Sequence, residues 1–440
     1  MLKKRKDNMA KIPEFKNKKE EREFWSTHSS ANNKYMSRRI IQDQNRMSQF
    51  GRTLFLVSLL AVGFFLVACG QGEKAGLRQL TLVDEVSRLP DVPGSYEWWN
   101  FYAFDSSGDL GLSMIFLSAN LWDVGYRDAA YAYRENPEAV SRPVPADYFL
   151  LQLNISKGGV KIFSTMRNPP GTTAEFSPTE PRGRIGSSTF SGSLDNGLKV
   201  FQVRIDAPDL SNLLRLEAEV EFREASPGFT VDGPGLYGRI PGGELHQWEW
   251  PLGYPETGGT VKITDRAGAV ILDRSFTGGG YTDHMWGEGL CGDMLDSWYF
   301  GRLDLGDRGA LVYVWLTPRS DTVVPYGYVF RIRKGRPAEA LEIDELIGAE
   351  ADRGSYGLEF FSRITLNLKG GGTVESRFGN PAGEDWPFQV AGPAVISASL
   401  PGDIEVTEQP GLGEYLWQPG IDSQEYRLMF SVLPGFPWYP

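Results

Sequence analysis

The run Leu214-Arg-Leu-Glu-Ala-Glu-Val-Glu-Phe222 decides the fold. Leu214, Leu216, Ala218, Val220 and Phe222 alternate with Arg215, Glu217, Glu219 and Glu221. Successive side chains of a strand point to opposite faces, whereas a helix repeats near 3.6 residues, so this run is a strand with one wet face. Phe201, Val203 and Ile205 against Gln202 and Arg204 repeat the pattern, as do Ile364, Leu366 and Leu368 against Thr365 and Asn367. Similar short runs surround Met114–Leu117, Phe149–Ile155, Tyr299–Leu305, Leu311–Leu316 and Tyr328–Ile332. Between them stand turn clusters: Asp195-Asn-Gly, Thr257-Gly-Gly, Gly278-Gly-Gly and Gly370-Gly-Gly. Many short strands with turn signals predict an all-β chain built as antiparallel sandwich or barrel, with some helix around Pro337–Ala351. Barrels of about eight strands leave an interior able to hold one small apolar ligand.

Ahead of this β region, Leu54–Ala68 is an apolar run broken only by Ser58 and Gly63, with Arg52 just before it. It is short for a ~30 Å hydrocarbon core and suits a signal-peptide h-region. Its end, Leu66-Val67-Ala68-Cys69-Gly70, resembles the lipobox of bacterial lipoproteins, which implies a signal peptide over 47–68 and acylation of Cys69. The expectation is an exported protein, lipid-anchored on the extracytoplasmic face of the cell membrane. A plain signal peptide is the alternative. Residues 1–46 read as a non-structural leader or a start assigned too early, with translation beginning at Met47. Within them, Lys11–His28 resembles the opening of a ribbon-helix-helix antitoxin over that stretch alone.

Residues 1–68 hold 14 of the 45 basic and 6 of the 56 acidic residues, so the remainder carries 31 against 50, a net charge of −19. That speaks against nucleic acid and against electrostatic adhesion to anionic lipid. Cys291 is then left without an intrachain disulfide partner and reads as a buried spectator. Nucleophile-elbow, P-loop and paired-cysteine zinc patterns do not occur. A metal set of Asp283, His284, Glu288 and Asp293 has one histidine and mixed spacing, so no metal is expected.

The aromatic residues carry the functional signal. Tyr96-Glu97-Trp98-Trp99-Asn100-Phe101-Tyr102 has five aromatic side chains in seven residues. Alternation sends Trp98, Asn100 and Tyr102 to one face, and Glu97, Trp99 and Phe101 to the other. His246-Gln-Trp248-Glu-Trp250, Tyr281-Thr-Asp283-His284-Met-Trp286-Gly287 and Trp298-Tyr-Phe-Gly301-Arg302 follow. Both histidines beyond Cys69 fall in these segments, and histidine is the side chain best placed for proton work near neutral pH. Core aromatics with hydrogen-bonded histidines are the plainer reading of any one of these residues.

In this order, Glu-Trp-Trp, His-x-Trp, Tyr-x-Asp-His-x-Trp-Gly and Trp-x-x-Gly-Arg resemble the carotenoid 1,2-hydratase (hydroxyneurosporene synthase) family. That family includes attachment-protein-type secreted lipoproteins and has lipocalin-like Diels–Alderases as distant relatives. The resemblance spans roughly residues 80–440 and is weaker in the C-terminal half, around Tyr415-Leu-Trp417. It implies two tandem lipocalin-like antiparallel β-barrels, here 80–290 and 291–440, with a ligand pocket near their junction. It also implies cofactor-free addition of water to an isolated terminal double bond of an acyclic carotenoid. Such chemistry requires a proton donor, a dry site and stabilisation of a tertiary carbocation. Asp283 and His284 are the candidate donors, with Tyr281 or His284 orienting the water. Trp98, Trp286 and Tyr281 offer π faces to positive charge. Glu97, Trp98, Trp99, His246, Trp248, Trp286, Arg302 and Tyr313 are the candidate ligand-binding residues, with Asp283 and His284 at the polar end of one cavity. Arg302 is the candidate brace behind Asp283. Where the hydratases carry a Tyr-x-Asp pair, a little under thirty residues after the motif histidine, this chain reads Tyr313-Val314-Trp315. The expected partner is a polyene, isoprenoid or lipid. A non-catalytic lipocalin-like carrier of an apolar ligand is the alternative.

Overall fold

The computed structural model describes residues 76–422 and 426, apart from 89, 167, 169–170, 210, 233–234, 238–244, 321, 355–356, 380–383, 386–388 and 403. The expected leader and signal peptide (1–68) and Cys69 lie outside the described residues.

Two antiparallel sheets follow one another along the chain. The first contains β1 (Leu77–Gln79), β2 (Tyr96–Asp105), β3 (Leu110–Ala119), β4 (Leu150–Lys157), β5 (Val160–Thr165), β6 (Ala174–Phe176), β7 (Arg182–Ile185), β8 (Ser188–Asp195), β9 (Leu198–Pro208), β10 (Leu214–Val231), β11 (His246–Asp265) and β12 (Val270–Gly287). Its order is β5-β4-β3-β2-β12-β11-β10-β9-β8-β7-β6, with β1 on β10. The second contains β13 (Leu295–Asp304), β14 (Ala310–Pro318), β15 (Tyr326–Ile332), β16 (Glu339–Arg353), β17 (Glu359–Leu368), β18 (Thr373–Phe378), β19 (Glu384–Asp385), β20 (Gln389–Leu400) and β21 (Ile404–Trp417). Its order is β18-β17-β16-β15-β14-β13-β21-β20-β19. Pairing of β18 with β20 closes eight of these strands into a barrel. The first sheet curls without that closure: among the described residues no ladder joins β5 to β6. The chain is thus all-β in two tandem barrel-like units, as its period-two runs predict.

The expected strands fall in place. Leu214–Phe222 lies in β10, with Leu216, Ala218, Val220 and Phe222 buried. Asp195-Asn-Gly turns β8 into β9, Asn196 (φ 52°) and Gly197 (φ 83°) both taking the left-handed conformation that such hairpins require. Two expectations are corrected. Thr257-Gly-Gly and Gly278-Gly-Gly are not turns but lie inside β11 and β12, which pair with each other there. A Cβ on Gly259 would stand 2.1 Å from the Glu219 carbonyl oxygen, and one on Gly278 2.0 Å from that of Phe104. These glycines let long strands pass close to their neighbours, a role of glycine within strands as well as in turns. The helix expected around Pro337–Ala351 is strand β16, paired on both sides. Sheet pairing there overrides the helix propensity of its Ala, Glu and Leu residues. The longest described helix is instead α1 (Val124–Glu135), whose Asp123 N-cap accepts the Tyr126 N–H.

Three apolar cores result. Trp99, Phe101, Phe116, Phe190, Phe201 and Phe222 fill the inside of the first sheet. Leu303, Tyr313, Val329, Ile364 and Ile396 fill the second barrel. The third lies between the sheets, where Trp98, Trp248 and Met285 meet Trp298, Phe300, Val312 and Phe330. Strands β14 and β15 are therefore covered on both faces, which is why their sequences are apolar or aromatic at nearly every position.

Candidate functional site

Strand β12 lies between β2 and β11, with Asp283 opposite Asn100, Met285 opposite Trp98 and Trp248, and His284 opposite Trp99 and Glu249. Tyr281, Asp283 and Met285 therefore share one face with Trp98, Asn100, Tyr102 and Trp248. From the second sheet, Trp298, Phe300, Arg302 and Asp304 of β13 alternate onto the opposing wall. Between them lies a cavity of about 1100 Å³ lined by both groups.

Asp283 is a buried acid on its wall. Burial pushes the carboxyl up to about 6, while the polar hydrogens of Tyr281, Asn100, Trp98 and Trp248 pull it part of the way back. Burial, with Asp283 beside it, holds the Tyr281 hydroxyl well above its ordinary value. Asp283 Oδ1, the Tyr281 hydroxyl and the Trp248 Nε1 are buried, yet none meets full hydrogen-bond geometry with a protein atom. Polar atoms in that condition ordinarily have a ligand or a water as partner. The surrounding rings are tightly arranged: Trp248 stacks on Phe300 at 5.6 Å and meets Trp298 edge-on at 6.0 Å. Trp298 donates its Nε1–H to Glu414 at 2.7 Å.

His284 does not share this cavity, a correction to the expectation of one site. Adjacent strand residues face opposite ways, so His284 points into the first sheet with Glu97 and Trp99. It stacks on Trp99 at 4.4 Å. Its Nε2 lies 3.1 Å from Glu97 Oε1, and its Nδ1 lies 3.6 Å from Glu85 Oε2 and 3.9 Å from Glu249 Oε2. Glu97 also accepts from the Ser87 and Ser118 hydroxyls and from the Arg88 backbone N–H, at 2.7–2.8 Å. Burial alone would depress the imidazole, but Glu85 and Glu97 prevail and hold it at about 9. Burial and the nearby Glu85 raise Glu249. This is an ionic cluster that braces the back of the sheet.

Trp286 follows the same alternation and lies 5.0 Å from the Arg88 guanidinium. His246 is buried with Tyr96, whose hydroxyl is 3.1 Å from Nδ1, and burial lowers its pKa to about 4. It is outside the cavity lining, packed beyond Trp98. Tyr313 is another correction: it points into the second barrel, where the absent side chain of Gly301 leaves room for its ring. Trp315 shares that inward face, so the position of the expected family acid is remote from the cavity, whose wall carries Asp283 together with Asp105, Asp304 and Glu414. Arg302 does not brace Asp283; its carboxylate neighbour is Asp304, at 3.8 Å. Of the weighed metal ligands, Asp293 is held by Arg134 at 2.5 Å. Asn100, Trp298, Phe300 and Asp304 also line the cavity and were not among the candidates. The period-two spacing of Trp298, Phe300 and Arg302 is the signal that places them together.

No family model matches the chain. It is 26% identical over 356 aligned residues to hydroxyneurosporene dehydrogenase of Chlorobaculum tepidum, covering 74% of this chain and 83% of that protein. Among solved structures, a putative AttH of Nitrosomonas europaea is similar at a TM-score of 0.49 and 12% identity, over 77% of this chain and 97% of that one. CghA with Sch210972 gives 0.45 at 12% identity, over 78% and 98%. Kievitone hydratase of Nectria haematococca gives 0.45 at 12%, over 77% and 93%. The relationship by sequence agrees with the resemblance to the carotenoid 1,2-hydratase (hydroxyneurosporene synthase) family that the aromatic motifs carry.

Proposed function

We propose that the cavity between the sheets binds a hydrophobic polyene or isoprenoid and that Asp283 promotes addition of water to one of its carbon–carbon double bonds. The supporting observation is a buried carboxyl held near pKa 6 on an aromatic wall. Such a carboxyl is available as the neutral acid close to neutral pH. Its proton and the π electrons of the alkene form the new C–H bond, leaving a tertiary carbocation. The indole faces of Trp98 and Trp248 stabilise that cation by ~0.5–2 kcal/mol for each desolvated contact. Water held by the Tyr281 hydroxyl attacks the cation, and the proton released from the oxonium returns to the Asp283 carboxylate. His284 acts from the far face, holding β12 in register. Incubating the protein with an acyclic carotenoid in ¹⁸O-labelled water should yield a product heavier by one labelled water. Quenching of tryptophan emission by the carotenoid without product would instead mark a carrier.

We further propose that the protein lies on the extracytoplasmic face of the membrane, anchored through acylated Cys69, a reading supported by the lipobox-like Leu66-Val67-Ala68-Cys69-Gly70. Cys69→Ala should move it from the membrane fraction to the soluble fraction or leave it unprocessed. A mature N-terminus elsewhere, without acyl groups, would refute the anchor.

A further inference from the structure

We propose that Arg302 is an anion-recognition subsite of the cavity, so that the ligand is an apolar chain ending in a carboxylate. This rests on the reading of the cavity as a ligand site and names the ligand class. Arg302 lines the cavity at 5% exposure, and its Nε, Nη1 and Nη2 are all buried without a hydrogen-bond partner. A guanidinium carries five N–H donors and keeps its charge in proteins, so this position is costly unless something accepts from it. The protein supplies little. The Tyr281 and Phe104 rings lie 5.2 and 5.6 Å from the guanidinium carbon. Asp304 Oδ2 stops at 3.8 Å, beyond hydrogen-bond reach, and that side chain is 25% exposed. Its Oδ1 is taken by the Gly306 N–H at 2.7 Å.

Two other arginines of this chain are met closely by carboxylates. Arg274 reaches Asp105 and Asp109 at 2.6 and 2.7 Å, and Arg363 reaches both Glu375 oxygens at 3.1 Å. A hydrocarbon ligand would leave the Arg302 donors unpaired, whereas a carboxylate matches the planar fork with two parallel hydrogen bonds. Lys334, also on the cavity wall, is engaged by Glu256 at 2.9 Å. Asp283 tolerates an anionic neighbour, because burial already favours its neutral form. A bound carboxylate would favour that form further, keeping the proton where alkene protonation requires it.

The test uses cis-parinaric acid, a polyene carboxylate, and its methyl ester. Binding to the full chain is read by energy transfer from tryptophan to the polyene. The wild type should bind the acid at least ten-fold more tightly than the ester. Arg302→Gln should bring the acid down to the ester's affinity, and Arg302→Lys should keep part of the preference. Asp304→Asn should enlarge the preference by removing the competing charge, and it serves even where Arg302→Gln fails to fold. Equal affinities in the wild type would overturn the subsite while leaving the apolar site standing. A preference that survives in folded Arg302→Gln, or one that Asp304→Asn does not enlarge, would also overturn it. If neither compound binds, the subsite and the proposed ligand site fall together.

Discussion

His284→Ala is expected to destabilise the protein by about 3–5 kcal/mol in chemical denaturation, the cost of breaking a buried ion pair by removing one partner. The imidazole is fully buried, stacked on Trp99, and stands between Glu97, Glu85 and Glu249. Its loss leaves these buried carboxylates facing one another without their central cation. His284→Gln should lose less, since an amide still donates to Glu97. The pH dependence has a definite sign. The folded-state pKa, about 9, lies above the ordinary 6.5, so this stabilisation is fully present below pH 6.5 and is lost as pH rises through 9. The wild type should lose on the order of 3 kcal/mol across that window, and His284→Gln should stay nearly flat. A His284→Ala protein as stable as the wild type would show that the cluster carries no net stabilisation.

Asp283→Asn should give the converse result: a stable protein without turnover. The substitution keeps the shape and removes the proton donor, so hydration of a polyene substrate should fall by about 10²- to 10⁴-fold while ligand quenching of tryptophan emission persists. The folded-state carboxyl is raised to about 6 from 3.8, so its ionisation penalises the fold as pH rises through 6. Asparagine carries no such penalty, and the variant should melt no lower than the wild type at pH 7 and above. Wild-type turnover should decline as pH rises past 6, where the acid form is lost. Wild-type rates in folded Asp283→Asn would remove Asp283 from the chemistry.

The two variants part because Asp283 and His284, neighbours in sequence, serve opposite faces of β12. That separation was legible in the alternation of Trp98, Asn100 and Tyr102 with Glu97, Trp99 and Phe101. Placing Asp283 and His284 at one polar end overlooked the same period on the partner strand. Tyr313 shows a different limit. Every position of β14 from Ala310 to Leu316 is buried, so no wet face marks which residues look into the barrel and which toward the other sheet.

By itself the sequence determined the strands that keep one wet face, because a period of two is a local property of extended backbone and survives whatever the strand packs against. The left-handed turn at Asn196-Gly197 is local in the same way. Only the tertiary structure decided which faces meet. Gly259 and Gly278 look like turn residues until Glu219 and Phe104 are seen to press on them from other strands. The helix-prone composition of Glu339–Arg353 yields to the ladders of β15 and β17. The cavity is also beyond local reading. Asp283 and Arg302 are buried on its walls because two sheets, whose strands pair only within their own sheet, cover one another's outer faces, and no sequence period records that covering.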